Sequence, residues 1–337
     1  VVLIDEYDKP ILDNITDPVQ AVEMREGLKN FYSVLKDADP YLKFVFLTGV
    51  SKFSKVSLFS GLNNLQDITL DPRYATVCGY SHPELIDVFA EHLINRNLEE
   101  IRRWYNGYNF LGELVYNPFD ILQYLDLGEF RNFWFESGTP TFLIELMRKK
   151  KFLAPRLECL FAMESLLTSF DVPNIEPETL LFQAGYLTIH GVEQIEARRS
   201  FRLGYPNLEV KTSLTDSFLE ALVGNPDAKQ GLQRALPDIL RHADFSRLRD
   251  LFTAFFASIP HDWYRKNQIA GYEGYYASIV YCYFAALGLD VIPEDVTNHG
   301  RIDLTVKHSG KIFLIEFKVK GLAGKGNSGR TKPMTWL

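Results

Sequence analysis

The sequence predicts an α/β protein with more than one domain, and three observations support this. The chain has 337 residues and 46% hydrophobic composition, enough to bury more than one core. Near its start, two short apolar segments flank a segment with helical periodicity, which is the strand–helix–strand order of a parallel sheet. Near its end, a helical segment precedes two β-rich segments around a short turn.

The first strand is predicted at residues 1–4, a fully apolar run typical of a buried parallel strand. Residues 19–36 then show helical periodicity through Val22, Leu28 and Phe31. A second apolar strand is predicted at residues 41–47. The three segments together predict one unit of a doubly wound sheet.

Polar residues follow both predicted strands. Asp5 and Glu6 come directly after the first strand, and Thr48 follows the second. Ligands bind at the carboxyl ends of strands in open α/β sheets, so these three residues are candidate ligand-binding residues. The alternative is an acidic strand-to-loop turn, which four apolar residues followed by two acids produce easily by chance.

The middle of the chain predicts mainly helices. Ser81 and Glu84 form the spacing of a capping box at a helix start. The segments 105–108 and 116–119, rich in aromatic residues and asparagine, read as turns. Further on, a helix, two strands and a helix within residues 177–222 predict a winged-helix-like module. Its arginines could contact phosphates, but we expect a packing or interaction module.

A β-hairpin is predicted near the C-terminus. Two β-rich segments, 302–306 and 312–319, flank a turn with Ser309 and Gly310 as the loop residues. Counting back from this loop places Asp303 opposite Glu316, with Cβ atoms about 5 Å apart. Lys318 projects from the same face as Glu316, because side chains two residues apart in a strand share a face.

This face predicts a metal site. Two neighbouring carboxylates repel each other, and a hard divalent cation such as Mg²⁺ relieves that repulsion. A nearby lysine, Lys318, can orient a water molecule or stabilise charge on a phosphate. The alternative is an exposed strand on which Asp303 or Glu316 pairs with a lysine. The opposite face, which is almost wholly apolar, is expected to be buried.

Asp303, the segment Glu316-Phe317-Lys318 and the upstream Glu273 resemble the PD-(D/E)XK nuclease superfamily, in the branch fused to an AAA-ATPase-like region. The resemblance implies that Asp303 and Glu316 bind Mg²⁺ and that Lys318 assists attack of water on a phosphodiester. It also implies that Glu273 is the acid supplied by a helix. The alternative for Glu273 is an exposed residue favoured by the helix dipole.

The N-terminal half is similar to the same AAA-ATPase-like family, because Asp5-Glu6 resembles a Walker B motif and residues 51–71 match closely. This implies that Asp5 binds the Mg²⁺ of ATP, that Glu6 polarises the attacking water and that Thr48 is the sensor residue. No G-x-x-x-x-G-K-[ST] phosphate loop occurs in the sequence, so ATP binding is expected only with an upstream loop.

The glycine-rich segment 321–330 is a poor helix or strand former, although the nuclease fold needs both there. We therefore expect a fragment with a truncated nuclease-like domain. The predicted domains are residues 1–75, AAA-ATPase-like, residues 76–260, helical and winged-helix-like, and residues 261–337, nuclease-like. The predicted fold class is accordingly a partial AAA-type (P-loop NTPase) parallel sheet, a helical middle and a PD-(D/E)XK nuclease-like α/β domain.

Composition narrows the function classes. A net charge of −7 argues against a nonspecific nucleic-acid coat, so contact with DNA would need local basic patches. Three widely spaced cysteines and the absence of HxH or HExxH pairs disfavour a disulfide framework and a zinc enzyme, and they favour a reducing cytoplasmic location. No segment is long and apolar enough for a membrane span, so no membrane partner is expected, whereas an oligomer is compatible with the sequence.

The predicted function is a bacterial ATPase-coupled nuclease-like protein, with Mg²⁺-dependent phosphodiester hydrolysis in the C-terminal domain and nucleic acid, DNA in the first place, as partner. The first alternative is a nucleotide-dependent regulatory or interaction protein whose nuclease-like domain is inactive. The second is an α/β protein whose motifs arose by chance.

Overall fold

The computed structural model describes residues 1–15, 17–51, 64–136, 143–144, 146–147, 150, 153–167, 176–223, 226–258, 273–297 and 300–317. The chain divides into two compact units. The first unit comprises Val1–Lys150 and Cys159–Glu209, and the second comprises Lys151–Glu158 and Val210–Leu337. The domain boundaries predicted from the sequence remain predictions.

The first unit contains short strands and helices that alternate along the chain. In chain order they are β1 (Val2–Ile4), α1 (Lys9–Leu12), α2 (Pro18–Asp37), β2 (Val45–Leu47), β3 (Tyr80–Ser81), α3 (His82–Val88), α4 (Leu98–Tyr105), β4 (Asn106–Tyr108), β5 (Val115–Tyr116), α5 (Pro118–Leu127), α6 (Phe133–Glu136), β6 (Leu160–Met163), α7 (Glu164–Leu167), α8 (Pro177–Gln183), β7 (Thr188–Ile195) and β8 (Arg198–Gly204).

The second unit contains helices of 14–17 residues and an antiparallel sheet. In chain order its elements are α9 (Leu208–Val223), whose first two residues belong to the first unit, α10 (Pro226–His242), α11 (Phe245–Ser258), α12 (Glu273–Ala286), β9 (Asp290–Thr297), β10 (Gly300–His308) and β11 (Lys311–Ile315). None of the helices in the described ranges is long and apolar enough to cross a membrane.

The predicted strand–helix–strand unit is present at the start of the chain. Strands β1 and β2 pair in parallel, with Val2 opposite Val45 and Ile4 opposite Leu47. The second strand starts later than predicted, because residues Asp39–Tyr41 form a 3-10 helix. In the described part of the chain this sheet has two strands, and the wider parallel sheet of a P-loop ATPase remains a prediction.

The expected burial of the first strand was wrong. Leu3 is 69% exposed, although the apolar run predicted a strand buried on both faces. A strand is buried on both faces only when layers of structure cover both sides of its sheet. In the described residues the two-stranded sheet leaves the side chain of Leu3 largely uncovered.

Helix α2 forms as predicted, but one residue of its predicted apolar face is exposed. Its N-terminus is capped by Asp17, whose side chain accepts hydrogen bonds from the backbone N–H groups of two following residues. Phe31, expected on the apolar face, is 67% exposed, whereas Ala21 and Tyr32 are buried. The Tyr32 hydroxyl donates a hydrogen bond of 3.2 Å to the backbone oxygen of Tyr7, and this contact selects the buried face.

An aromatic core lies between α3, α4 and α5 in the first unit. Its fully or nearly buried members are Leu85, Ile101, Tyr105, Tyr116, Ile121, Tyr124 and Phe133. The predicted capping box at the start of α3 is confirmed, because Ser81 and Glu84 bond each other's backbone N–H groups.

The predicted order of helix, two strands and helix is also observed, as α8, β7, β8 and α9. Strands β7 and β8 form a three-stranded sheet with β6. Arg199 pairs with Glu164 at 3.4 Å, and Arg202 donates to the backbone oxygen of His190. These contacts agree with a packing role, and the winged-helix assignment remains a prediction.

In the second unit, α12 packs against the sheet β11-β10-β9. Residues 279–285 of α12 have no exposed surface. The Tyr281 hydroxyl donates to Glu158 at 2.7 Å, and Lys211 pairs with the same carboxylate at 2.6 Å. The helix is therefore fixed on one side by the sheet and on the other by polar contacts.

Candidate functional site

The predicted hairpin and its register are confirmed. Strands β10 and β11 pair antiparallel, with His308 opposite Lys311 and Leu304 opposite Ile315. The loop residues Ser309 and Gly310 both have positive φ, 49° and 74°. Two successive residues with positive φ are typical of a type I′ turn, whose twist matches that of the flanking strands.

Asp303 and Glu316 occupy the next positions beyond the Leu304–Ile315 pair. Side chains alternate between the two faces of a sheet, so both carboxylates belong to the face opposite Leu304 and Ile315. Oδ2 of Asp303 accepts a hydrogen bond of 2.8 Å from the backbone N–H of Phe317, the residue after Glu316. This bond ties the Asp303 carboxylate to the end of β11.

The opposite face of the hairpin is buried, as the sequence predicts. Its apolar side chains pack inward beneath α12, and the most buried are Leu304, Val306, Phe313 and Phe317, with 0–5% of their surface exposed. The Glu316 side chain is exposed. The fold therefore leaves the carboxylate face as the one accessible to a ligand.

For two of the four residues predicted for this site, the side chains lie outside the part of the chain that the structure describes. Glu273 is the first residue of α12, but its side chain lies outside the described residues, as does all of Lys318. Within the described part of the chain, no group of three or more His, Cys, Asp or Glu residues could hold a metal ion. Of the four predicted residues, the structure therefore describes the side chains of two, Asp303 and Glu316, which lie at the same end of the hairpin.

The donor set present nonetheless fits Mg²⁺. This ion is usually held by one or two carboxylates, with water and substrate phosphates as the remaining ligands. Asp303 supplies a carboxylate whose Oδ2 is fixed by a backbone N–H, and its Oδ1 takes no part in that bond. Glu316 supplies a second, exposed carboxylate one position beyond the last strand pair.

The polar residues that follow β1 and β2 also lie side by side. The Thr48 hydroxyl donates a short hydrogen bond to Oδ1 of Asp5, as expected for parallel strands in this register. The same Oδ1 accepts from the backbone N–H of Glu6 at 2.9 Å. Glu6 itself has a positive φ of 50°, an uncommon conformation for a non-glycine residue.

Asp8 is a residue of this region that the sequence analysis did not single out. It is fully buried, and its carboxylate accepts hydrogen bonds from the backbone N–H groups of Val50 and Ser51, at 3.1 and 2.5 Å, and from the Ser51 hydroxyl, at 2.6 Å. A Cβ on Gly49 would lie 2.5 Å from Oδ1 of Asp8, so only glycine fits there. Asp8 thereby anchors the loop that carries Thr48.

Comparison with known proteins identifies both ends of the chain. Residues 1–59 match a family described as predicted AAA-ATPase, and residues 271–334 match the PD-(D/E)XK nuclease superfamily. A protein of Azotobacter chroococcum mcd 1, described as an uncharacterized protein in the vnfD 5′ region, is 56% identical over 328 residues. The match covers 97% of this chain and 64% of that protein. No solved structure matches the chain.

Proposed function

Since the chain combines an AAA-ATPase-like region at residues 1–59 with a PD-(D/E)XK nuclease superfamily domain at residues 271–334, we propose that it is an ATPase-coupled nuclease that hydrolyses phosphodiester bonds of DNA in the presence of Mg²⁺. The observation that carries this proposal is the hairpin register, which sets Asp303 and Glu316 one position beyond the last strand pair.

The ion pairs of the same sheet face support a functional reading of these two acids. Lys307 pairs with Asp290 at 3.7 Å, and Arg301 pairs with Glu294 at 3.7 Å. Among the described residues, neither Asp303 nor Glu316 takes part in such a pair.

In the proposed reaction, Asp303 and Glu316 would hold Mg²⁺, and Glu273 would support them from the start of α12. The ion would supply Lewis-acid chemistry at the scissile phosphate. Lys318 orients the attacking water and stabilises the charge that develops on the phosphate. The Phe317 N–H keeps the Asp303 carboxylate oriented throughout.

The AAA-ATPase-like region is proposed to contribute to an ATP–Mg²⁺ site. Asp5 would ligate the ion, Glu6 would polarise the attacking water, and Thr48 would sense the bound nucleotide through its contact with Asp5. A phosphate-binding loop is needed to complete such a site. We therefore propose that ATP binds when this region is part of a longer protein that supplies the loop.

The nuclease proposal is tested by incubating the protein with duplex and single-stranded DNA, with Mg²⁺ or with EDTA. The variants are Asp303→Ala and Lys318→Ala, and the matched control is Asp290→Ala, an exposed aspartate of the same sheet. We expect Mg²⁺-dependent cleavage by the wild type and by the control, and a loss of at least about 100-fold in the two site variants. Equal cleavage by all four proteins, or none by the wild type with Mg²⁺, would overturn the proposal.

A further inference from the structure

The two turns of residues 105–108 and 116–119 meet at a buried polar cluster in the first unit. The Tyr108 hydroxyl is buried in this cluster. The same hydroxyl lies close enough to Asp120 and Glu209 to sense their charge. Both of these acidic residues have no exposed surface. Two carboxyl groups thus lie inside the unit, at the start of α5 and the start of α9.

A single backbone group joins the two acids. The N–H of Trp134, in α6, donates to Oδ1 of Asp120 at 3.0 Å and to Oε1 of Glu209 at 2.8 Å. Because both accept from this one N–H, the two buried carboxyl groups lie next to each other. Two neighbouring ionised carboxylates repel each other, and a proton on one of them relieves that repulsion.

Tyr105 of α4 and Tyr108 of β4 are titratable side chains close enough to both carboxyl groups for the carboxyl charges to act on them. Both tyrosines carry raised pKa values because they are buried, so they stay neutral. Two neighbouring buried carboxylates are costly to keep ionised together, which favours a proton on one of them.

We propose that Asp120 and Glu209 form a proton-binding site that holds one shared proton at neutral pH, and that this proton fastens the starts of α5 and α9 to Trp134. Oδ2 of Asp120 is buried and meets no donor nitrogen or hydroxyl among the described residues. A proton held by Glu209 supplies the missing hydrogen bond to this oxygen.

The pKa values of both carboxyl groups are raised, which agrees with their buried position next to each other. Burial and, after it, the adjoining Asp120 carboxyl together raise the pKa of Glu209 to about 9. Burial also raises the pKa of Asp120. The folded protein therefore keeps a proton that the unfolded chain releases above the ordinary glutamate pKa of about 4.3. Stability contributed by the pair is complete below that value and is lost as the pH rises towards about 9.

The proton can be observed directly by infrared spectroscopy of the whole chain in D₂O at about pH 8, where ordinary carboxyl groups are ionised. We expect a carbonyl band of a protonated carboxylic acid in the wild type and its loss in Glu209→Gln. The matched control is Glu220→Gln, an exposed glutamate of the same helix α9, which should keep the band. Absence of the band in the wild type would overturn the proposal, and this measurement does not depend on any variant folding.

A second measurement follows thermal unfolding of the same three proteins between about pH 6 and pH 9. In Glu209→Gln the amide can accept from Trp134 and donate to Asp120 without a proton. We therefore expect the Tm of the wild type and of Glu220→Gln to fall on the order of 5 °C more than that of Glu209→Gln. Equal slopes in all three proteins would contradict the proposal. So would a drop in the wild-type Tm on adding EDTA, because that would assign the cluster to a metal ion.

Discussion

Asp8 shows how much a single buried carboxylate can fix in this protein. Three hydrogen bonds from Val50 and Ser51 converge on it, and the Ser51 backbone oxygen in turn accepts from the Tyr7 hydroxyl at 2.8 Å. The segments after β1 and β2 are thereby joined across 43 positions of sequence. The hydrogen bond between Thr48 and Asp5, the residues directly after β2 and β1, joins the same two segments.

We expect Asp8→Ala to lower the free energy of unfolding by about 3 kcal/mol, because it leaves the buried Ser51 N–H and the partly buried Val50 N–H without their acceptor. Urea unfolding followed by circular dichroism measures the loss. Faster hydrogen exchange at the Val50 and Ser51 amides should accompany it.

The control for this prediction is Asp13→Ala, which removes an exposed aspartate that pairs with Lys9 at 3.5 Å. Exposed ion pairs of this kind contribute little, so the unfolding curve should barely move. A similar loss in both variants would show that Asp8 does not anchor the loop.

At this scale the sequence predicted contacts that follow from regular geometry. The Ser309-Gly310 loop sets the register of Asp303 and Glu316, and parallel pairing sets Thr48 beside Asp5. Asp8 could not be distinguished from the acids before it, because its partners come from a loop whose conformation no local pattern encodes. The same holds for Glu209, whose partners belong to α5 and α6.

At the scale of elements, Gly107 marks a close approach between β4 and the segment before α9. Its φ is 132°, in the region that favours glycine, and a Cβ there would lie 1.9 Å from the backbone oxygen of Pro206. We expect Gly107→Ala to lower the free energy of unfolding by about 2 kcal/mol or more, since both the strain and the overlap involve backbone atoms. Thermal or urea unfolding tests this.

The matched variant is Gly231→Ala in α10, where a Cβ would meet nothing within 4 Å. Alanine is the better helix former there, so stability should rise by about 0.5–1 kcal/mol. If Gly107→Ala lowered the stability no more than Gly231→Ala does, Gly107 would not lie as close to the Pro206 backbone as described.

Elements with strong local signals were predictable, and their ends were less so. Helix α2, the capped start of α3 and the hairpin β10–β11 all follow from periodicity, capping residues and turn chemistry. The start of β2 and the exposure of Phe31 in α2 were not, because the 3-10 helix Asp39–Tyr41 and the bond from Tyr32 to Tyr7 depend on tertiary packing. Local propensity is a weak prior that such packing overrides.

For the molecule as a whole, the sequence indicated two different α/β ends, and the family matches at residues 1–59 and 271–334 agree. The overall acidic charge of −7 fits the proposal that DNA is bound at a local site rather than over the whole surface. The proton-binding pair of Asp120 and Glu209 lies in the first unit, and its role does not depend on the nuclease proposal.

The proposed nuclease site requires that Asp303 and Glu316 together bind a divalent cation. Titration of the whole chain with Mg²⁺ by calorimetry measures this binding, using Asp303→Ala and Glu316→Ala beside the control Asp290→Ala. We predict a saturable binding event in the wild type and the control that disappears in both site variants. Identical titrations for all four proteins would contradict the account.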